Sequence, residues 1–127
     1  MKEEYFVEID FILSLLKSNN KKIFNEIILA KKNKMWATTI VFSMVILDNI
    51  FNDDYYADII DGLEINNLKY SKDLIWLRKR RNQILHFENL EDNSSIILSD
   101  QDLKINSEKA YNILIKSLIK LFPQENF

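Results

Sequence analysis

The chain has no cysteine, which excludes disulfides, iron–sulfur clusters, thiolate zinc sites and cysteine nucleophiles together and is compatible with a reducing compartment. Glycine and proline occur once each, as Gly62 and Pro123. A sandwich or barrel with so few turn-formers would be unusual, so the sequence reads as all-α. Membrane spans are missing too: the least polar stretch, Ala37 to Leu47, is interrupted by Thr38, Thr39 and Ser43 and falls short of the ~18 apolar residues a span needs. Near the start, Glu3 and Glu4 stand where a secretory signal would be basic, and no apolar segment with a small-residue cleavage site follows. A cytoplasmic protein with no membrane partner is the expectation. Nor is there a surplus of positive charge. The net charge is −2 with 28% charged residues, so any contact with nucleic acid has to come from a local patch.

With 127 residues, 47% of them hydrophobic, the chain matches a single domain over residues 1–127, long enough to bury a core without staples. Helical spacing dominates it. Tyr5, Ile9, Ile12, Leu13 and Leu16 mark a first amphipathic helix, which the polar cluster Ser18 to Asn20 is expected to end. Periodicity resumes at Lys21 and continues to about Phe51, with a break possible near Lys31 to Lys34; the half from Trp36 to Phe51 is apolar nearly all round and is expected to be central. Asn52 to Asp54 predicts a turn and cap for a short helix carrying Tyr55, Tyr56, Ile59, Ile60 and Leu63, closed by Gly62 to Asn67. Ser71, with Asp73 in the first turn, caps a helix from about Lys72 to Phe87. Glu88 to Ser95 reads as a loop, and Ile96 to Leu98 as a possible short extended piece. Asn106 or Ser107 is expected to cap a last helix, Glu108 to Phe122, that Pro123 stops. The architecture this predicts is an up-and-down bundle of four to five helices. On the last helix Asn112, Lys116 and Lys120 form a polar strip only ~80° wide, so its broad apolar surface lies against several neighbours or against a second copy or other partner.

Chemistry concentrates in one segment. Arg78, Lys79, Arg80 and Arg81 are consecutive. At 100° per residue, Leu74, Leu77, Ile84 and Leu85 define the apolar arc of their helix, and Arg81 falls in its middle. Desolvating a guanidinium is costly unless it is paired, so Arg81 either forms an internal salt bridge, with Asp48 the best candidate, or lines a cleft that receives phosphate. Arg78, Asn82 and His86 follow at intervals of four along one flank. Trp76 and Phe87 read as packing residues. The composition offers no cofactor motif and no metal-ligand cluster.

The segment Arg81-Asn82-Gln83-Ile84-Leu85-His86 resembles the Arg-x4-6-His signature of the HEPN superfamily, including the polar residue directly after the arginine. Domain length, helix order and the helix that follows His86 extend the similarity to most of the chain. The resemblance implies a metal-independent endoribonuclease of toxin–antitoxin or antiviral type. In such an enzyme the ribose 2′-hydroxyl attacks the adjacent phosphate, leaving a 2′,3′-cyclic phosphate and a 5′-hydroxyl. It assigns His86 to acid or base catalysis, Arg81 to the phosphate and Asn82 to orienting His86 or the ribose. The residue types suit this chemistry, because an imidazole titrates near neutrality and a guanidinium meets phosphate charge bidentately. Arg78, Lys79 and Arg80 are the expected RNA phosphate contacts. His86 is the only histidine, whereas in-line transesterification wants both an acid and a base, so a homodimer that joins two Arg81/His86 pairs in one cleft is expected, with a cognate antitoxin as a possible further partner. The sequence departs from the AMPylation-controlled members of the superfamily, which commonly carry tyrosine two residues after the histidine, where this chain has Glu88. Two other readings stay open: a non-catalytic HEPN module that binds RNA, nucleotide or a protein, and a helical interaction protein in which Arg81 and Asp48 form a structural salt bridge.

Overall fold

In a computed structural model, which describes residues 2–57, 59–60, 62–86 and 99–122, the described residues form six α-helices and one 3-10 turn. The helices are α1 (Lys2–Leu15), α2 (Ser18–Lys32), α3 (Trp36–Phe51), α4 (Gly62–Lys69), α5 (Lys72–Leu85) and α6 (Asp100–Leu121), with the turn at Asp54–Tyr56. The protein is a helical bundle. No described helix is long and apolar enough to cross a membrane.

The polar cluster at Ser18 to Asn20 does not end a helix; it begins α2. Asn20 is buried, and its Nδ2 donates to the Tyr56 hydroxyl at 2.9 Å while its Oδ1 accepts from Asn49 Nδ2 at 2.9 Å. The same hydroxyl accepts the Lys17 backbone N–H at 3.0 Å. A buried amide is tolerable because its polar atoms are met, and this knot ties the start of α2 to the end of α3. Beside it Asp53 caps the 3-10 turn by accepting the Tyr55 N–H at 2.9 Å and pairs with Lys17 Nζ at 3.0 Å. The Tyr55 N–H and then the Lys17 ammonium hold the Asp53 carboxyl below its ordinary range, and Asp53 in turn raises the Lys17 ammonium.

The chain does break near Lys31 to Lys34. Met35 N–H donates to Ala30 O at 2.8 Å and Lys34 N–H to Lys31 O at 3.2 Å, the paired bonds of a Schellman stop, and Lys34 takes the left-handed position with φ 59°. Glycine usually stands there because a Cβ is strained in that conformation. Lys34→Gly is therefore expected to raise stability by about 0.5–1 kcal/mol, read as an increase in the denaturant midpoint with unchanged slope.

Two helix boundaries differ from the sequence expectation for identifiable reasons. The short helix expected over Tyr55 to Leu63 is replaced by the 3-10 turn and then α4, which Gly62 opens and does not close; Gly62 has no positive φ and so supplies no left-handed stop. The last helix starts eight residues early, at Asp100, with Ser99 Oγ accepting the Asp102 N–H at 3.1 Å. Asn106 and Ser107 do not cap it. Their side chains bond back to the carbonyls of Asp102 and Lys104, at 2.7 and 2.8 Å, an option these residues have inside a helix. Glu88 to Ser95, Ile96 to Leu98 and Pro123 lie outside the described residues.

Helix α6 runs through the middle of the bundle against α3, α1, α4 and α5, and α2 covers another side of α3. Ile113, Leu114, Ser117, Leu118 and Leu121 of α6 are buried, as are Ile40, Ser43, Met44, Ile46, Leu47 and Ile50 of α3. The broad apolar surface of α6 is thus taken up by neighbours within the chain, and a dimer cannot count on that surface. Where α6 passes α2, Lys31 Nζ sits 3.3 Å from the Tyr111 ring centroid. Burial lowers the Lys31 ammonium against the pull of Glu108, and burial also raises the Tyr111 phenol.

Candidate functional site

Helix α5 carries every sequence-predicted site residue but His86, which caps its end, and its start is firmly set: Ser71 Oγ accepts the Leu74 N–H at 3.2 Å, and Asp73 lies in the first turn, where an acid favours the helix dipole. Leu74, Leu77 and Gln83 are buried, while Leu85 is 50% exposed. The buried arc is therefore rotated by roughly 60° from the one the apolar residues alone define. The cause is that α5 has neighbours on more than one side, α3, α4 and α6. It lies against α3 through Arg81, and Trp76 reaches Lys109 of α6, so the buried face turns toward α6, takes in Gln83 and releases Leu85. Arg81 sits at the margin of the buried arc and not at its middle.

At that margin Arg81 Nη1 donates to Oδ2 of Asp48, from the last turn of α3, the partner the sequence singled out. The two side chains keep 18% and 32% of their exposure, so the pair is not sealed from water and its net contribution is on the order of 1 kcal/mol. Arg81 Nε donates to the side-chain oxygen of Asn82 at 3.1 Å. Asn82 thus orients Arg81, a role the sequence did not suggest. His86 forms the C-cap of α5, its backbone N–H donating to the Asn82 carbonyl at 2.9 Å, and its side chain is exposed.

The basic run divides. Lys79 and Asn82 are exposed and Arg78 half-buried, at spacings that share the outward side of α5, with exposed His86 just past the end of the helix. Arg80 turns the other way: its Nη1 donates to the Oε1 of buried Gln83 at 2.7 Å, its guanidinium carbon lies 5.5 Å from the Trp76 ring centroid, and its Nε is buried without an acceptor. Lys109 Nζ approaches the same indole, 4.2 Å from the centroid. The sequence carries no signal for Lys109, since it lies on another helix and only tertiary packing brings it to Trp76. Next to it opens a groove of about 350 Å³, lined by Asp73 of α5 and by Ile105, Glu108, Lys109, Asn112 and Lys116 of α6. Arg81, Asn82 and His86 are not among its walls. Among the described residues no three His, Asp or Glu side chains gather as a metal site. Phe87 and Glu88 lie outside the described residues.

No family model matches the sequence, and no curated protein or solved structure matches it.

Proposed function

We propose that the chain is a metal-independent endoribonuclease of the toxin or antiviral type, HEPN-like in its Arg81 to His86 segment, whose outward face of α5 is half of a two-fold active site. The observation that carries the reading is the gathering at the C-terminal end of α5 of exposed Asn82 and exposed His86, joined by the His86 backbone N–H to the Asn82 carbonyl at 2.9 Å, with the exposed cation Lys79 one turn before Asn82 and Arg81 held by Asp48 and Asn82. In the reaction the ribose 2′-oxygen forms a bond to phosphorus while the bond to the 5′-oxygen breaks, one proton leaving the 2′-hydroxyl and another reaching the 5′-oxygen. His86 of one copy takes the first and His86 of the second gives the other. Arg81 compensates the growing charge on the non-bridging oxygens. A guanidinium has five N–H donors, so the contacts to Asp48 and Asn82 do not exhaust it.

The second copy is placed against α5, not α6. Ile75 and Leu85, 53% and 50% exposed, flank the polar group and give that face apolar area to bury. The direct test is growth: cells expressing the wild type arrest, and cells expressing His86→Ala grow. Arrest by both proteins, or by neither, removes the proposal.

The Arg81–Asp48 ion pair favours one other reading, a helical interaction protein in which the pair is purely structural. Asp48→Asn separates the two. If Asp48 holds Arg81 for phosphate, the variant loses about tenfold in cleavage, since misplacing a charge-stabilising group costs a part of the ~10²–10³ its removal costs, with a stability change of about 1 kcal/mol. A stability loss with no cleavage to lose points to the structural role.

A further inference from the structure

We propose that bound RNA continues past α5 across Trp76 onto α6, where Lys109 and Lys116, with Asn112 between them, hold backbone phosphates. The inference rests on the ribonuclease reading and extends its substrate path.

Lys79 lies on α5 about two turns before His86, which caps the end of the helix, and Trp76 lies about 60° round from Lys79, one turn toward the helix start. A strand leaving His86 toward Lys79 therefore meets the indole next. Trp76 carries Arg80 and Lys109 at 5.5 and 4.2 Å from its ring centroid, so it seats cations and is not open as a stacking platform for bases. Lys109 then opens the groove that Asn112 and Lys116 also line. On α6, Lys109, Lys116 and Lys120 fall within about 40° of each other, and all three are exposed. The cations thus form a line that begins at the proposed site and ends two to three turns along α6. A line of cations without base-reading side chains fits a phosphate backbone and carries no sequence preference.

Two acids share the groove, Asp73 and Glu108. Asp73 has a local reason, the first turn of α5. Glu108, whose charge also reaches Lys31 of α2, puts a negative charge into the same groove, which gives the proposal a test of opposite sign.

The experiment uses the full-length His86→Ala protein, so that RNA stays intact, and measures binding of a labelled unstructured single-stranded RNA over a range of salt concentrations. Adding Lys109→Gln and Lys116→Gln is expected to weaken binding about tenfold near 0.1 M salt and to reduce the slope of log K against log salt by about 1.4, the value for two phosphates on a single strand. Lys109→Arg with Lys116→Arg restores both, which separates charge from loss of fold. Glu108→Gln is expected to tighten binding about threefold. Unchanged affinity and slope in the double glutamine variant overturn the α6 path and leave the ribonuclease reading standing, provided RNA binds and the wild type cleaves it. Absence of any RNA binding by the His86→Ala protein overturns the α6 path, and the ribonuclease reading falls with it only if the wild type also fails to cleave RNA.

Discussion

His86→Ala is expected to lower RNA cleavage by 10²-fold or more, the range that loss of one positioned acid–base group produces, with no measurable change in melting temperature. The second half of that expectation is what gives the first its meaning. The imidazole is exposed at the end of α5, and its structural contribution passes through its backbone N–H to Asn82, which alanine retains. Arg81→Ala is expected to cost ~10²–10³-fold, as removal of a transition-state charge partner does, but with a stability loss of about 1 kcal/mol because Asp48 is left without its cation. Arg81→Lys keeps the charge and loses the planar fork, so it should recover stability before activity. In a two-fold site that uses both His86 side chains, mixing wild-type protein with excess His86→Ala protein is expected to suppress the activity, since a mixed dimer holds a single imidazole. Single-turnover cleavage alongside thermal melts reads all of these. Loss of activity in His86→Ala with a matching loss of fold would withdraw the catalytic assignment.

Leu114→Ala is expected to destabilise the chain by about 3 kcal/mol, within the 2–5 kcal/mol that leucine truncations in close-packed cores cost. Leu114 is fully buried in the middle of the helix that α1, α3, α4 and α5 surround. Helices on several sides cannot all move in to fill the space, so the cavity term stays high. For a domain of this size the change corresponds to a fall of roughly 12 °C in melting temperature. Leu29→Ala supplies the contrast: the same chemical change at a position that is 58% exposed is expected to stay within about 0.5 kcal/mol. Equal losses at the two sites would contradict the central place given to α6.

How much of this was legible in the sequence depends on which kind of interaction decides each element. Local chemistry was readable. Ser71 caps α5 as its sequence context indicates, and the nearly all-apolar stretch from Trp36 is the long central helix α3. Asp48, a lone acid in an apolar run, pairs with the lone cation set among apolar residues on α5; two charges that each look misplaced are each other's explanation. Positions decided by tertiary contact were not readable. Asn20 resembles a turn residue and is a buried hydrogen-bonding centre because Tyr56 and Asn49 meet it. Asn106 and Ser107 resemble caps and bond back along α6. On α5, a glutamine is buried and a leucine exposed because several neighbouring helices, not one, set the buried face. At the candidate site the residue identities came from the sequence, whereas the bond from Arg81 to Asn82, the inward turn of Arg80 and the approach of Lys109 to Trp76 came from the packing.

The central claim, that α5 carries a metal-independent ribonuclease site, is tested most directly by the ends of the RNA it cuts. Wild-type protein incubated with RNA in excess EDTA is predicted to leave 2′,3′-cyclic phosphate and 5′-hydroxyl termini. No cleavage, cleavage that requires added divalent metal, or 5′-phosphate ends would contradict it.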